Sequence, residues 1–241
     1  RAHVRGLVSI GLISDGDGGA IDGSLEELAA MFADGRFVLD ERFEDGHSVI
    51  ESYLTERLGE AGKRVHLGRS RNDQVAVALR LYMIDALGRA GRGLISAAES
   101  ALAVAEAHAM EPMPGYTHLQ RAVPSSVGLW MGSFAEGFTE SAELCALTRR
   151  WLDSCPLGSA AGYGVNVALP RGAVAEELGF GRVQISPMGV QASRGPTEHQ
   201  VVATLWQGMQ QVRRLAWDLS LFSSEEYGFV TLGPGYVTGS S

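Results

Sequence analysis

Residues with anion-binding chemistry gather in one short stretch, residues 66–74, which reads His-Leu-Gly-Arg-Ser-Arg-Asn-Asp-Gln. Two arginines, a hydroxyl and an amide lie here directly before a long apolar segment, where a helix is predicted to begin. Guanidinium groups and the free N–H groups of a helix N-terminus both bind carboxylates and phosphates. The stretch therefore predicts an anion-binding site. Ser70 or Asn72 acting only as a helix cap explains the same residues equally well.

A second polar segment, residues 113–120, is rich in proline and glycine and places Thr117, His118 and Gln120 close together. An imidazole titrates near neutral pH, so His118 is a candidate general acid or base. A solvent-facing loop histidine is the simpler interpretation of this segment on its own. We predict a tight loop that ends where Pro124 starts the next helix.

Two further segments consist largely of small residues. Residues 155–164 either let a ligand approach the backbone closely or form a compact turn between helices. Residues 238–241, Thr-Gly-Ser-Ser, are rich in hydroxyl groups and predicted to be flexible.

The 241 residues carry a formal net charge of −8, with 45% hydrophobic and 20% charged side chains, which is typical of a folded soluble domain. Basic residues are scattered, so nucleic-acid binding is not predicted, and no apolar run is long enough to span a membrane. Cys145 and Cys155 are predicted to be buried thiols in a reducing cytoplasm rather than metal ligands. No targeting segment is visible. Because the chain begins at Arg1 and ends abruptly, we expect a fragment of a longer protein.

Two amphipathic helices are predicted in the first quarter of the chain. Residues 24–27 and 48–51 each have the spacing of a capping box ahead of an apolar periodicity, and the second helix is expected to end near Gly62. The glycine-rich residues 16–19 predict a turn or a mobile connection. Residues 1–67 are therefore predicted to form a small N-terminal helical lobe.

Three longer helices are predicted at about residues 72–110, 124–153 and 196–226. The first is apolar on more than one face and would be about 55 Å long, so it must be surrounded by other helices. Helices of this length form bundles and usually bury their outer faces against copies of the chain. The sequence thus predicts an all-α fold in which residues 68–241 form a long central helical bundle, incomplete at its C-terminal end.

These motifs resemble those of the argininosuccinate lyase family, in the fumarase/aspartase superfamily. Residues 66–74 are similar to the family's H-x-G-R-S-R-N-D-Q, which distinguishes it from adenylosuccinate lyase, aspartase and fumarase. Residues 115–120 are similar to its G-Y-T-H-L-Q, and the T-H-x-Q-x-A-x-P pattern at 117–124 is shared across the superfamily. Residues 223–229 and 238–241 resemble the approach to the family's mobile signature loop. The likeness covers essentially the whole chain and extends to the delta-crystallins of the lens.

The resemblance implies an all-α homotetramer with a long central helical bundle, in which each active site is assembled from three subunits. It also implies a cytoplasmic carbon-nitrogen lyase of arginine biosynthesis, which cleaves argininosuccinate to L-arginine and fumarate without a metal or organic cofactor. The expected partners are the small-molecule substrate and other copies of the chain, with no nucleic acid and no membrane.

Site residues carry over from the resemblance by position. Six polar residues would hold the substrate, the first four through its carboxylates and the last two by hydrogen bonds: Arg69, Ser70, Arg71, Asn72, Thr117 and Gln120. His118 and Ser240 would form the acid/base pair. Ser240 is expected to take the proton and His118 to act as its counterpart, although the direction stays open. A serine hydroxyl is a weak base and needs a lysine or oriented dipoles beside it, and the family's loop lysines are absent from this sequence.

The sequence departs from the family pattern at three places. Leu67 stands where the family usually has threonine, and Gly195 replaces an acidic residue beside Ser193 and Arg194. The loop at 158–164 differs from the commoner G-S-G-A-L-A-G. Two other functions therefore remain open. One is a related enzyme that eliminates an amine or amidine from another fumarate-yielding substrate, and the other is a crystallin-like structural protein without catalysis.

Overall fold

The computed structural model describes residues 1–37, 39 and 41–237. These residues form two compact units, one of Arg1–Tyr82 with Leu152–Thr197 and the other of Met83–Trp151 with the described residues from Glu198 onward. The described residues of the predicted N-terminal lobe fall within the first unit. Its predicted boundary at residue 67 stays a prediction.

Helices make up most of the described chain. In chain order its elements are α1 (Ala2–Ser9), α2 (Asp15–Ala33), α3 (Gly46–Leu58), α4 (Glu60–Lys63), a 3₁₀ turn (Arg64–His66), α5 (Arg71–Ala107), strands β1 (Pro112–Thr117) and β2 (Gln120–Ser126), α6 (Val127–Leu152), α7 (Arg171–Glu177), α8 (Pro187–Ala192), α9 (Pro196–Phe222) and a second 3₁₀ turn (Pro234–Tyr236). The mostly helical fold is as predicted, apart from the two strands.

The core of the first unit joins its N-terminal helices. Leu7 of α1, Ile21 of α2 and Leu54 of α3 are all 0% exposed and pack with Val65, which precedes the arginine-bearing stretch. Burying an aliphatic side chain of this size contributes about 1.5–3 kcal/mol. The chain just before α5 is therefore fixed to a well-packed hydrophobic core through Val65.

The prediction of a turn at residues 16–19 is wrong, because these glycines lie inside α2. The helix begins at Asp15, where the Ser14 hydroxyl accepts a hydrogen bond from the Asp17 N–H at 3.1 Å. Ser24, predicted as the cap, is buried within the helix. A Cβ on Gly18 would lie 2.3 Å from Val8, so glycine permits the close approach of α1 and α2.

The predicted bounds of α3 also need correction. Its cap is Asp45, whose carboxylate accepts from the Ser48 N–H at 2.8 Å, so Ser48 is the donor and not the cap. The helix ends at Leu58, and Gly59 follows with φ 59°, a left-handed conformation that suits glycine. Gly62 lies in α4 instead.

The three long helices are confirmed, and the parts of them that lie in the second unit pack together. They contain 37, 26 and 27 residues. Their core includes alanines of α5 and the buried Phe134 and Phe138 of α6, with Leu215 of α9 packed against it. The helices approach closely at Gly91 of α5, where a Cβ would lie 3.5 Å from Cys145 of α6.

The segment before α6 is a β-hairpin and not a loop, which corrects two predictions. Residue pairs run from Pro112 opposite Ser126 to Thr117 opposite Gln120, with an irregularity after Pro114. Pro124 lies in β2, and α6 begins after Ser126, whose hydroxyl accepts from the Leu129 N–H at 3.1 Å. The fixed φ of proline suits an edge strand as well as a helix start, so the sequence did not distinguish them.

Both cysteines are buried, as predicted, and burial raises the pKa of each thiol. Within the described part of the chain, no helix has the length and apolar character needed to cross a membrane.

Candidate active site

The arginine-bearing stretch lies at the N-terminus of α5, as predicted. The Ser70 hydroxyl accepts from the Asn72 N–H at 3.3 Å, and the Asp73 carboxylate accepts from the Ser70 N–H at 2.9 Å. These reciprocal bonds have the form of a capping box. Ser70 therefore is the helix cap, one of the two roles that the sequence left open, and Asn72 is not the cap.

Arg69 is directed into the protein. The Nη2 atom of Arg69 donates to the Val65 carbonyl. When the amide oxygen of Gln74 is turned toward the guanidinium, it accepts from Nη1 and Nη2 of Arg69 at 3.2 Å each. The buried Nε of Arg69 has no hydrogen-bond partner among the described residues. Burial lowers the pKa of Arg69 to about 10, against the opposing charges of Asp73 and Glu51.

Arg71 lies at the surface between acidic groups. Its Nη1 is 3.2 Å from a carboxylate oxygen of Glu44 and 3.3 Å from one of Asp45, and its Nη2 donates to the Ser48 hydroxyl at 2.9 Å. An anion would therefore share Arg71 with two carboxylates. The neighbouring Asn72 side chain is exposed.

Two histidines, His3 and His66, lie beside the residues that lead into the turn at 69–72. The buried His3 forms a 2.8 Å hydrogen bond with the Leu67 carbonyl, and burial followed by the charge of Arg69 lowers its pKa to about 4. His66 lies 3.0 Å from the Glu51 carboxylate. Burial and Arg69 also lower the pKa of His66, which Glu51 partly offsets. Both imidazoles are thus favoured in their neutral form.

The second group of predicted residues occupies the tip of the hairpin. Thr117 and Gln120 pair across the strands, and His118 and Leu119 form the two-residue turn between them with φ 51° and 59°. Hairpin turns with two positive φ angles strongly favour asparagine and glycine. A leucine in this conformation costs about 1–2 kcal/mol. All four residues are exposed, and His118 is therefore presented on a strained backbone.

A cavity of about 570 Å³ lies in the second unit beside this tip, and both His118 and Leu119 line it. Much of its wall is aromatic, and the indole N–H of Trp130 donates to the Asp218 carboxylate at 2.9 Å. Several of these rings belong to one cluster: Tyr116, Trp130, Phe222, Tyr227 and Phe229. The cluster packs strand β1 against the end of α9 and the residues that follow it.

The structure brings the predicted residues together in two groups. Arg69, Ser70, Arg71 and Asn72 adjoin one another in the first unit, whereas Thr117, His118 and Gln120 share the hairpin tip in the second. Ser240, the predicted base, lies outside the described residues.

The structure describes the local surroundings of two residues that depart from the family pattern, Gly195 and Leu67. Gly195 has φ 89°, a conformation that an aspartate would adopt only with strain, which is consistent with glycine at this position. The Leu67 side chain is 41% exposed, while its carbonyl bonds with His3. Leu67 therefore leaves an apolar side chain at the surface next to the arginine turn.

Sequence reasoning gave no role to Asp73, which is 0% exposed and accepts hydrogen bonds from the N–H groups of Ser70, Gly158 and Ala160. The loop at residues 155–164 thus uses its backbone to bind a buried carboxylate. The Ser-x-x-Asp spacing from Ser70 is the signal that could have identified the local half of this arrangement.

These features agree with the comparison to known families. The family model described as Lyase matches residues 2–241, and the chain therefore belongs to this lyase family.

Within that class, the chain is similar to argininosuccinate lyases. It is 52% identical over 240 residues to that of Sorangium cellulosum (strain So ce56) and 49% identical over 241 residues to that of Xanthomonas axonopodis pv. citri (strain 306). Each comparison covers 100% of this chain and 56% of the relative, so the chain spans little more than half the length of the curated relatives it matches. The resemblance inferred from the motifs is confirmed.

Solved structures give the same class. An EDDS lyase in complex with formate matches with a TM-score of 0.88 at 25% identity, covering 100% of this chain and 47% of that one. A fumarate lyase from Mesorhizobium sp. BNC1 matches with a TM-score of 0.76 at 23% identity, covering 94% of this chain and 53% of that one, which is a likeness of fold alone.

Proposed function

We propose that the full-length protein is an argininosuccinate lyase, which cleaves argininosuccinate to L-arginine and fumarate in the cytoplasm as part of arginine biosynthesis. The observation that carries the proposal is the exposed His118 on a strained two-residue turn, flanked by the paired Thr117 and Gln120. Strain of this kind persists at functional sites. The sequence identity of 52% and 49% to argininosuccinate lyases supports argininosuccinate as the substrate.

The proposed chemistry is an elimination. A base removes a proton from the carbon next to a carboxylate, the electron pair forms the double bond of fumarate through an aci-carboxylate, and the C–N bond breaks. An acid protonates the departing guanidino nitrogen. Ser240 would take the carbon proton and His118 would be its counterpart, with the opposite assignment kept open. No metal or organic cofactor takes part in this scheme.

The extra charge of the aci-carboxylate needs positioned donors. In our proposal these come from the turn at residues 69–72, where a helix N-terminus adjoins two guanidinium groups, and from Thr117 and Gln120. The exposed Asn72 is the most accessible of the first group. The partly buried Arg69 would act mainly through its charge and by shaping the turn.

We further propose a homotetramer in which three subunits contribute to each active site. An exposed apolar stripe on α9 supports association: Val202, Trp206, Met209 and Trp217 recur at helical spacing and are 65%, 57%, 58% and 63% exposed. Surfaces of this kind mark protein–protein contacts. Copies that pack through long helices would also complete the predicted central bundle of residues 68–241.

The direct test is fumarate release from argininosuccinate by the full-length protein, followed by ultraviolet absorbance. We expect His118→Asn to lower kcat by about 10²–10⁴-fold, the usual contribution of general acid–base catalysis, without loss of folding because the side chain is exposed. His108→Asn is the matched control, since His108 is also exposed and its imidazole pairs with the Glu111 carboxylate.

The same assay distinguishes the alternatives. Release from another succinyl-amine substrate but not from argininosuccinate would favour a related lyase, a possibility raised by Leu67 and by the likeness to EDDS lyase. A well-folded protein that releases fumarate from no such substrate would indicate a structural protein and contradict the proposal.

A further inference from the structure

The Asp73 carboxylate connects two turns that are distant in sequence. Its Oδ1 accepts from the Ser70 N–H, and its Oδ2 accepts from the N–H groups of Gly158 and Ala160, each at 2.9 Å. The side chain is 0% exposed. A buried carboxylate is tolerated where hydrogen-bond donors surround it, and three backbone donors meet that condition here. One residue thus joins the turn at 69–72 to the turn at 157–160.

The turn at 157–160 is fixed by contacts that do not involve Asp73. Arg171 donates to the Leu157 carbonyl at 2.9 Å and to the Gln184 carbonyl at 2.8 Å. Gly158 has φ 88°, and a Cβ there would lie 2.9 Å from the Arg171 side chain. This turn can therefore serve as an anchor whose N–H groups point at the carboxylate independently of α5.

The turn at 69–72 has contacts of its own, since Arg69 donates to the Val65 carbonyl and Arg71 pairs with Glu44 and Asp45 at the surface. Arg71 is half-exposed and Asn72 is exposed. Asp73 contributes both the capping bond to Ser70 and a negative charge that opposes the effect of burial on the pKa of Arg69. Loss of this carboxylate would free the start of α5 from the anchor and remove a negative charge that favours the charged form of Arg69.

We propose that Asp73 is a positioning residue that holds the turn at 69–72 against the turn at 157–160, so that the donors of the former are ordered before a carboxylate ligand binds. The inference rests on the proposed function, which assigns those donors to the substrate. Donors already in place bind a ligand without a further ordering cost and align it for reaction.

Asp73→Asn tests this at constant side-chain size. An amide has one acceptor oxygen, and its NH₂ group would face a backbone donor, so at least one of the two turns is released. We expect the Kd for fumarate to rise about 10-fold or more and kcat/KM for argininosuccinate to fall at least as far in the full-length protein. Asp153→Asn is the matched control, because Asp153 lies in the same unit and its carboxylate accepts from the N–H of Gly181, which belongs to neither turn, at 2.7 Å.

The control should change both constants by less than about twofold, since the bond that it removes belongs to neither turn. Equal losses in Asp73→Asn and Asp153→Asn would reveal general destabilisation and overturn the proposal. Unchanged fumarate binding in Asp73→Asn, even with a lower Tm, would overturn it as well. A parent protein that releases no fumarate would contradict the proposed function. An active parent whose Asp73→Asn variant keeps the same Kd and kcat/KM would contradict only this inference.

If Asp73→Asn does not fold, amide hydrogen exchange of the unmodified protein gives the answer. Saturating fumarate should slow exchange at Gly158 and Ala160 together with the turn at 69–72, because both report on the same carboxylate. Slowing confined to 69–72 would contradict the proposal.

Discussion

The two groups of candidate site residues are built in opposite ways. The turn at 69–72 is a capped helix start in which Arg69 is partly buried and held by backbone and amide acceptors. The hairpin tip at 117–120 is exposed and holds two non-glycine residues at positive φ. Packing positions the first group, and a strained backbone positions the second. Substitutions should therefore affect stability in different ways in the two regions.

The largest stability effect is expected in the first region, as a dependence on pH through His3. Its pKa of about 4 in the folded state lies below the ordinary value of 6.5, so the folded protein binds this proton less readily than the unfolded chain. The stabilisation is complete above pH 6.5 and is lost as the pH falls toward 4. The loss amounts to about 3 kcal/mol.

His3→Gln isolates this effect, since glutamine keeps a donor for the Leu67 carbonyl and does not titrate. The difference in unfolding free energy between the parent and His3→Gln should shift by about 3 kcal/mol between pH 7 and pH 4. His66, whose pKa is also lowered, is present in both proteins and cancels. His199→Gln, at an exposed position of α9, is the control. A difference that stays constant with pH would show that His3 is not buried as a neutral imidazole.

A smaller effect is expected at the hairpin tip, from removal of the strain at Leu119. Glycine adopts φ 59° without strain, so Leu119→Gly should stabilise the hairpin by about 1 kcal/mol. Leu102→Gly is the same change at an exposed position inside α5, where glycine is unfavourable and should destabilise by about 1 kcal/mol. Native-state hydrogen exchange in each element measures both values. Changes of the same sign in both variants would contradict backbone strain at Leu119.

The sequence predicted the long helices well, because their apolar side chains and the absence of proline across residues 72–110 are local signals. It failed at the hairpin, where Pro124 and Gly115 fit several local structures and the choice depends on pairing between strands. It also missed the start of α2, because glycines that permit packing against Val8 look like a turn when the partner helix is unknown.

In the candidate site, too, local features could be predicted from the sequence and features that depend on tertiary contacts could not. Ser70 as a cap follows from its position before an apolar segment. The partial burial of Arg69 depends on residues brought together by folding. So does the hydrogen bond from the Gly158 N–H to the Asp73 carboxylate, which joins residues 85 positions apart. The positive φ of His118 likewise follows from the two-residue turn and not from the residue itself.

In our proposal, the turn at 69–72 and the hairpin tip serve one active site to which different copies of the chain contribute. Mixing two inactive variants tests it most directly: His118→Asn and Asn72→Ala, both at exposed positions, are co-expressed as full-length proteins. With random assortment, about a quarter of the sites regain both native groups, and fumarate release should return to about that fraction of the parent activity. Mixed assemblies with no more activity than the separate variants would contradict a site shared between copies.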